Sequence, residues 1–183
     1  MNIEEAGAVL ADADLLVTEA EVEASITRMA SEITDKLGKA NPILICVMNG
    51  GLIFAGQLLT KLIFPLQVDY IHATRYGHET SGAGLNWLVK PQLELKGRTV
   101  LLLDDILDEG VTLAAIANYC RQQGAAEVSM AVLVEKLHLR KVTPGMRADF
   151  TGIEVGDRFL FGYGLDYKGY WRNAPGIYAV KGL

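Results

Sequence analysis

Four apolar runs set the limits on what this chain can fold into. They are ILICVM (43–48), LQVDYIHA (66–73), GRTVLLLDD (97–105) and AEVSMAVLVEK (126–136). ILICVM and VLLL carry no apolar–polar alternation, as expected of strands buried on both faces. Helical patterns lie between the runs, at LIFAGQLLTKL (52–62) and at residues 111–122. Strands alternating with helices predict an α/β fold, a central and mostly parallel sheet flanked by helices. The 183 residues fit a single domain, 1–183, long enough to bury a real core. In sheets of this kind ligands bind beyond the carboxyl ends of the strands. Three loops leave such ends: MNGG (48–51), DDILDEGVT (104–112) and EKLH (135–138).

The remaining segments are less regular. Residues 1–17 read as a short helix or an extended lead-in. Thr18 opens a helix, and Glu21 three residues on completes a capping box. Val22, Ile26, Met29, Ala30, Ile33 and Leu37 follow at helical spacing, and Gly38 ends the run. TRYGHETSGAGL (74–85) has no periodicity, and a mid-domain loop of that length is functional or mobile. NWLVKP (86–91) reads as a returning strand. The tail alternates short strands, ADFTGIEV, RFLFGY and GIYAV, with Gly and Pro turns.

Composition excludes several classes of function. A net charge of −5 argues against a nucleic-acid binder. No apolar run is long enough to span a bilayer, and acids interrupt residues 1–13 where a signal peptide would sit, so a cytoplasmic protein with no membrane partner is expected. Cys46 and Cys120 lie in apolar segments with no CxxC or Cys/His cluster, which fits buried side chains rather than zinc ligands.

Negative charge gathers where the third run ends: Asp104, Asp105, Asp108 and Glu109 fall within six residues. Asp104 and Asp105 continue the strand, and alternation sends their side chains to opposite faces or edges. Gly110 and Thr112 then mark a helix start, where unpaired N–H groups and the helix dipole attract anions, so DEGVT (108–112) can cradle a phosphate. Alone, Thr112 reads equally well as an N-cap hydroxyl. Acids beside a phosphate cradle make sense if they hold Mg²⁺, receive sugar hydroxyls or take a proton.

VLLLDDILDEGVTL (100–113) resembles the phosphoribosyl-pyrophosphate (PRPP) binding motif of type I phosphoribosyltransferases. The resemblance runs from Ile43 onward, and its order is similar to that of the hypoxanthine-guanine enzymes in particular. It implies transfer of the 5-phosphoribosyl group from PRPP to a 6-oxopurine base, giving a purine 5′-nucleotide and pyrophosphate. It also implies Mg²⁺, a homodimer or homotetramer, and a small hood built from the terminal segments, 1–40 and 150–183. By the family pattern Asp104 and Asp105 lie near the ribose hydroxyls and a metal. Asp108 faces N7 of the base as proton acceptor or hydrogen-bond partner during transfer. Glu109, Gly110, Val111, Thr112 and Leu113 surround the 5′-phosphate, with Glu109 contributing its backbone only. Asn49, Gly50 and Gly51 form the pyrophosphate loop, with Asn49 where relatives often have Lys or Arg. The family also allows a cis peptide at 48–49. Lys136 meets the purine 6-oxo group, with Glu135 its ion-pair partner or a solvated acid. Phe159 stacks on the base and the Leu160 backbone meets its edge. Asp166 binds a second Mg²⁺ and Arg172 contacts pyrophosphate.

Taken singly, Phe159 and Leu160 read as core, and Asp166 and Arg172 as a surface ion pair. TRYGHETSG (74–82) would be a lid, with Tyr76, Thr80 and Ser81 covering pyrophosphate. His72 and His138 are expected to be structural or exposed. The alternatives are a xanthine-preferring phosphoribosyltransferase and a non-catalytic PRPP- or nucleotide-sensing regulator on the same fold.

Overall fold

The computed structural model describes residues 1–75 and 85–182. Its main feature is a six-stranded sheet built from β2 (Ile43–Met48), β3 (Gln67–Arg75), β4 (Leu85–Val89), β5 (Thr99–Leu107), β6 (Glu127–Lys136) and β7 (Phe150–Val155). Their order is β4-β3-β2-β5-β6-β7. All pairs are parallel except β3–β4 at one edge. The strand at the head of the 150–183 segment thus belongs to the large sheet. A separate antiparallel sheet, β1-β9-β8, joins β1 (Asp14–Val17) to β8 (Leu160–Phe161) and β9 (Ile177–Ala179). Among the described residues, no helix is long and apolar enough to cross a membrane.

The unalternated runs are buried on both faces because each face carries its own helical layer. On one, α2 (Glu19–Leu37) and α3 (Gly51–Leu59) pack Ile26, Met29, Ile33, Phe54 and Leu58 against Leu44, Leu101, Leu103 and Leu133. On the other, α4 (Val111–Gln122) sets Leu113, Ile116 and Cys120 against Ile43, Ile45, Leu102 and Val132. Successive strand residues alternate between the two cores. The six α2 residues read from helical spacing are its buried face. Residues 1–17 hold both a helix, α1 (Ile3–Asp12), and the strand β1.

Strand lengths open the site. The β2–β5 ladder ends at Cys46↔Leu103, whereas β5 stays paired with β6 out to Leu107↔Glu135. From Asp104 onward β5 therefore has a free edge on the β2 side. The acids at 104 and 105 continue the strand as expected, and it runs two residues beyond them to Leu107.

Candidate active site

A cleft of about 470 Å³ lies at the carboxyl ends of β2, β3 and β5. Two helices begin at its wall, and neither has a side-chain cap: α3 starts from Gly50 and α4 from Gly110. Their first N–H groups have no intrahelical acceptor and carry the positive end of the dipole. The helices away from the cleft differ. Asn2 with Glu5, and Thr18 with Glu21, form complete capping boxes on α1 and α2. Thr112 is therefore not the N-cap of α4; that position is Gly110, at φ 83°. Glu109, Gly110, Thr112 and Leu113 line the cleft, while Val111 opens the helix behind them. Asn49 and Gly50 line it too, and Gly51 is buried as the first residue of α3. The Met48–Asn49 peptide is cis. A Cβ at Gly50 would overlap the Asp105 carboxylate, so only glycine lets this loop lie against the acids.

Asp104 and Asp105 are both buried on the cleft floor. Alternation does not send them to separate surroundings. The Asp105 N–H donates to Asp104 Oδ1 at 2.9 Å, and the carboxyls act on each other. Burial, then the Asp105 charge, pushes Asp104 well above the usual carboxylate range. Burial also raises Asp105, against the lowering pull of its hydrogen bond with Asp104 and of Arg172. Arg172 Nη1 is 3.8 Å from Asp105 Oδ2, and Nη2 pairs with Asp166 Oδ1 at 2.5 Å. Asp166 and Arg172 are thus an ion pair, but one set in the cleft wall. Burial and the two acids push the Cys46 thiol up to about 12, which keeps it protonated and unreactive at neutral pH.

A smaller pocket of about 210 Å³ adjoins the cleft and shares Asp105, Ile106, Asp108 and Asp166 with it. Lys136, Phe159, Leu160 and Leu165 complete its lining. Leu160 is buried, but the Phe159 ring is 45% exposed and meets Tyr167 edge-on, so it is not core. Lys136 is buried and donates to Asp108 Oδ2 at 3.0 Å. Glu135 is neither partner to Lys136 nor solvated: it is fully buried and pairs with Arg147 Nε at 2.6 Å and the Thr151 hydroxyl at 2.9 Å.

The histidines depart from expectation. The His138 side chain is only 5% exposed, and its Nε2 lies 2.6 Å from Asp108 Oδ1. Its place two residues after Lys136 was the available signal, although β6 ends at Lys136 and the chain bends at His138. His72 is half-buried in the cleft wall. Burial alone would raise the Asp108 carboxyl. Hydrogen bonds from Lys136 and His138 together outweigh it, and the carboxyl sits below its usual value. Asp108, His138 and Asp157 also bring ligand atoms within 4.8 Å of one another, but Lys136 and Arg140 already neutralise that group. Tyr76, Thr80 and Ser81 lie outside the described residues.

The model of the phosphoribosyl transferase domain family matches residues 13–168. The chain is 32% identical over 168 residues to the hypoxanthine-guanine phosphoribosyltransferase of Bacillus subtilis (strain 168), covering 91% of this chain and 92% of that protein. It is 33% identical over 169 residues to the enzyme of the same name from Aquifex aeolicus (strain VF5), covering 91% and 94%. Among solved structures, a hypoxanthine-guanine-xanthine phosphoribosyltransferase superposes with a TM-score of 0.83 at 29% identity, covering 93% of this chain and 98% of that one.

Proposed function

The chain belongs to the phosphoribosyl transferase family, and we propose that it is a purine salvage enzyme that transfers the 5-phosphoribosyl group from PRPP to hypoxanthine or guanine, giving IMP or GMP and pyrophosphate. One observation carries the reading: two uncapped helix N-termini face a buried carboxylate pair, beside a pocket holding a buried lysine and an exposed aromatic ring. The first pair of features suits a sugar with phosphates at both ends, and the second a flat oxo-base.

In this reading the N–H groups from Gly110 to Leu113 take the 5′-phosphate, and the Glu109 side chain plays no part. Asn49, Gly50 and Gly51 offer backbone donors to pyrophosphate, and Arg172 adds a fixed cationic fork. Asp104 and Asp105 accept from the ribose hydroxyls. Two buried carboxyls whose ionisation is opposed by burial fit a divalent cation, so they would hold one Mg²⁺ and Asp166 a second. When bound, Mg²⁺ offsets charge on the departing pyrophosphate.

Phe159 stacks on the purine, the Leu160 backbone meets its edge, and Lys136 donates to the 6-oxo oxygen. N9 bonds to C1′ as the C1′–O bond breaks and its electron pair leaves on pyrophosphate. Asp108 accepts the N7 proton, whose bonding pair stays in the ring. Its lowered pKa keeps it ionised for that role. Leu52, Ile63, Val68 and Tyr70 are exposed on and beside α3 and β3, which supports a homo-oligomer in which a second copy covers them.

The test is a labelled-base assay with PRPP and Mg²⁺ offering hypoxanthine, guanine, xanthine and adenine. Turnover of hypoxanthine or guanine, and not adenine, is expected. No turnover of any 6-oxopurine overturns the reading. Xanthine alone as substrate would overturn the base assignment.

A further inference from the structure

Asp108 is held from two sides by donors of different kinds. Lys136 Nζ bonds Oδ2 at 3.0 Å, and His138 Nε2 lies 2.6 Å from Oδ1. The histidine's proton can be assigned. Its Nδ1 accepts the Arg140 backbone N–H at 3.0 Å, so the ring hydrogen is on Nε2 and points at the carboxylate.

The two donors also differ in freedom. Lys136 carries its ammonium on a flexible stem in the lining of the smaller pocket. His138 sits on a segment fixed on both sides. The Leu137 N–H donates to Val155 O at 2.8 Å, and Arg140 makes two bonds to Asp157, at 2.5 and 3.0 Å. Further on, the Val142 N–H donates to Glu109 O at 2.7 Å and Lys141 Nζ to Leu107 O at 2.8 Å. The imidazole is thus tied to the same loop that carries Asp108.

We propose that His138 is a positioning residue: it holds Oδ1 of Asp108 through Nε2–H, so that Oδ2 alone is released to accept the purine proton when Lys136 turns to the base. The inference rests on the reading of Asp108 as proton acceptor. A carboxylate bonded only to Lys136 would lose its one anchor when that lysine engages the 6-oxo oxygen. Both oxygens would then rotate freely, and fewer bound complexes would have an acceptor aligned on N7. Glutamine at 138 can reproduce the donor, because its amide nitrogen reaches about as far as Nε2. Leucine fills similar space and donates nothing.

The experiment compares His138→Leu, His138→Gln, Asp108→Asn and the double variant Asp108→Asn/His138→Leu, using steady-state kinetics with hypoxanthine and PRPP and thermal melts of each. For His138→Leu, kcat should fall about tenfold or more, the scale of losing one hydrogen bond to a charged group, with KM for PRPP unchanged. His138→Gln should recover most of that loss. In the Asp108→Asn background, His138→Leu should cost nothing further, because its effect runs through the carboxylate. An unchanged kcat for His138→Leu overturns the proposal. So does a Gln variant as slow as the Leu variant, or a loss of equal size in both backgrounds. If Asp108→Asn itself turns over normally while the wild type is active, the fault lies in the Asp108 assignment instead.

Discussion

Asp104 and Asp105 are the residues whose chemistry most opposes the fold around them. Burial raises both folded pKa values above 3.8, the ordinary carboxyl value, and the Asp105 charge adds to the rise at Asp104. Without a metal, the native state therefore binds protons that the unfolded chain has already released. Stability then falls as pH rises from that ordinary value through the raised ones. Asp104→Asn removes this penalty. Without metal at pH 8 its melting temperature should rise by roughly 2–4 °C for each 1 kcal/mol recovered in a chain of this size, while turnover is lost. Calorimetry at pH 5 and pH 8 in EDTA checks it, and the gain should shrink at pH 5. A variant that melts lower than wild type at pH 8 would refute the argument. At this scale the sequence shows which residues are chemical but not how they pair. Asp104, Asp105 and Asp108 stand out because acids rarely end an apolar strand. His138 does not, because its partner lies thirty residues earlier in the chain.

Among the elements, sequence pattern succeeds wherever one face is wet. The α2 spacing and its Thr18–Glu21 cap are legible because polar and apolar positions separate cleanly. The full length of β5 is not, because the paired acids close the apolar run at 105, while the ladder to β6 carries the strand on to Leu107. The contrast between capped and uncapped helices gives a pair of predictions. Thr18→Ala removes a side-chain cap and should cost about 1 kcal/mol of stability with no change in KM for PRPP. Gly110→Ala puts a side chain at φ 83°, costing about 1–2 kcal/mol. It would also bring a Cβ to 2.7 Å from Met146 Sδ and 2.9 Å from Leu107 Cδ1, so these two side-chain ends must move aside. The left-handed strain then falls on the backbone at the start of α4, so KM for PRPP should rise by about tenfold or more as charge-assisted bonds to phosphate are lost. Melting curves and PRPP titrations of both variants test the contrast. Equal effects on KM would show that cap type is unrelated to the site.

Across the whole molecule, the N-terminal segment braces the far end of the chain. Residues 1–17 read ambiguously because several of them serve contacts about 145–165 residues away, which no local periodicity records. The Trp171 indole N–H donates to Ala6 O at 2.7 Å, Arg158 pairs with Asp14 at 2.8 Å, and β1 pairs with β9. The braced segment is a strained one: Tyr163, Lys168 and Trp171 all have left-handed backbones, at φ 52°, 50° and 69°. It also carries Asp166 and Arg172, so a loose brace should be felt at the pyrophosphate end of the cleft. Trp171→Phe keeps an aromatic ring but leaves the Ala6 carbonyl without its donor, a loss of about 1 kcal/mol. The melting temperature should drop by roughly 2–4 °C. KM for PRPP should rise severalfold, and by more than KM for the purine, because Lys136 lies on β6 and Phe159 touches the braced segment only through Tyr167. Steady-state titrations of each substrate read the two constants separately. If stability falls while both remain unchanged, the N-terminal segment supports the fold and has no hold on the site.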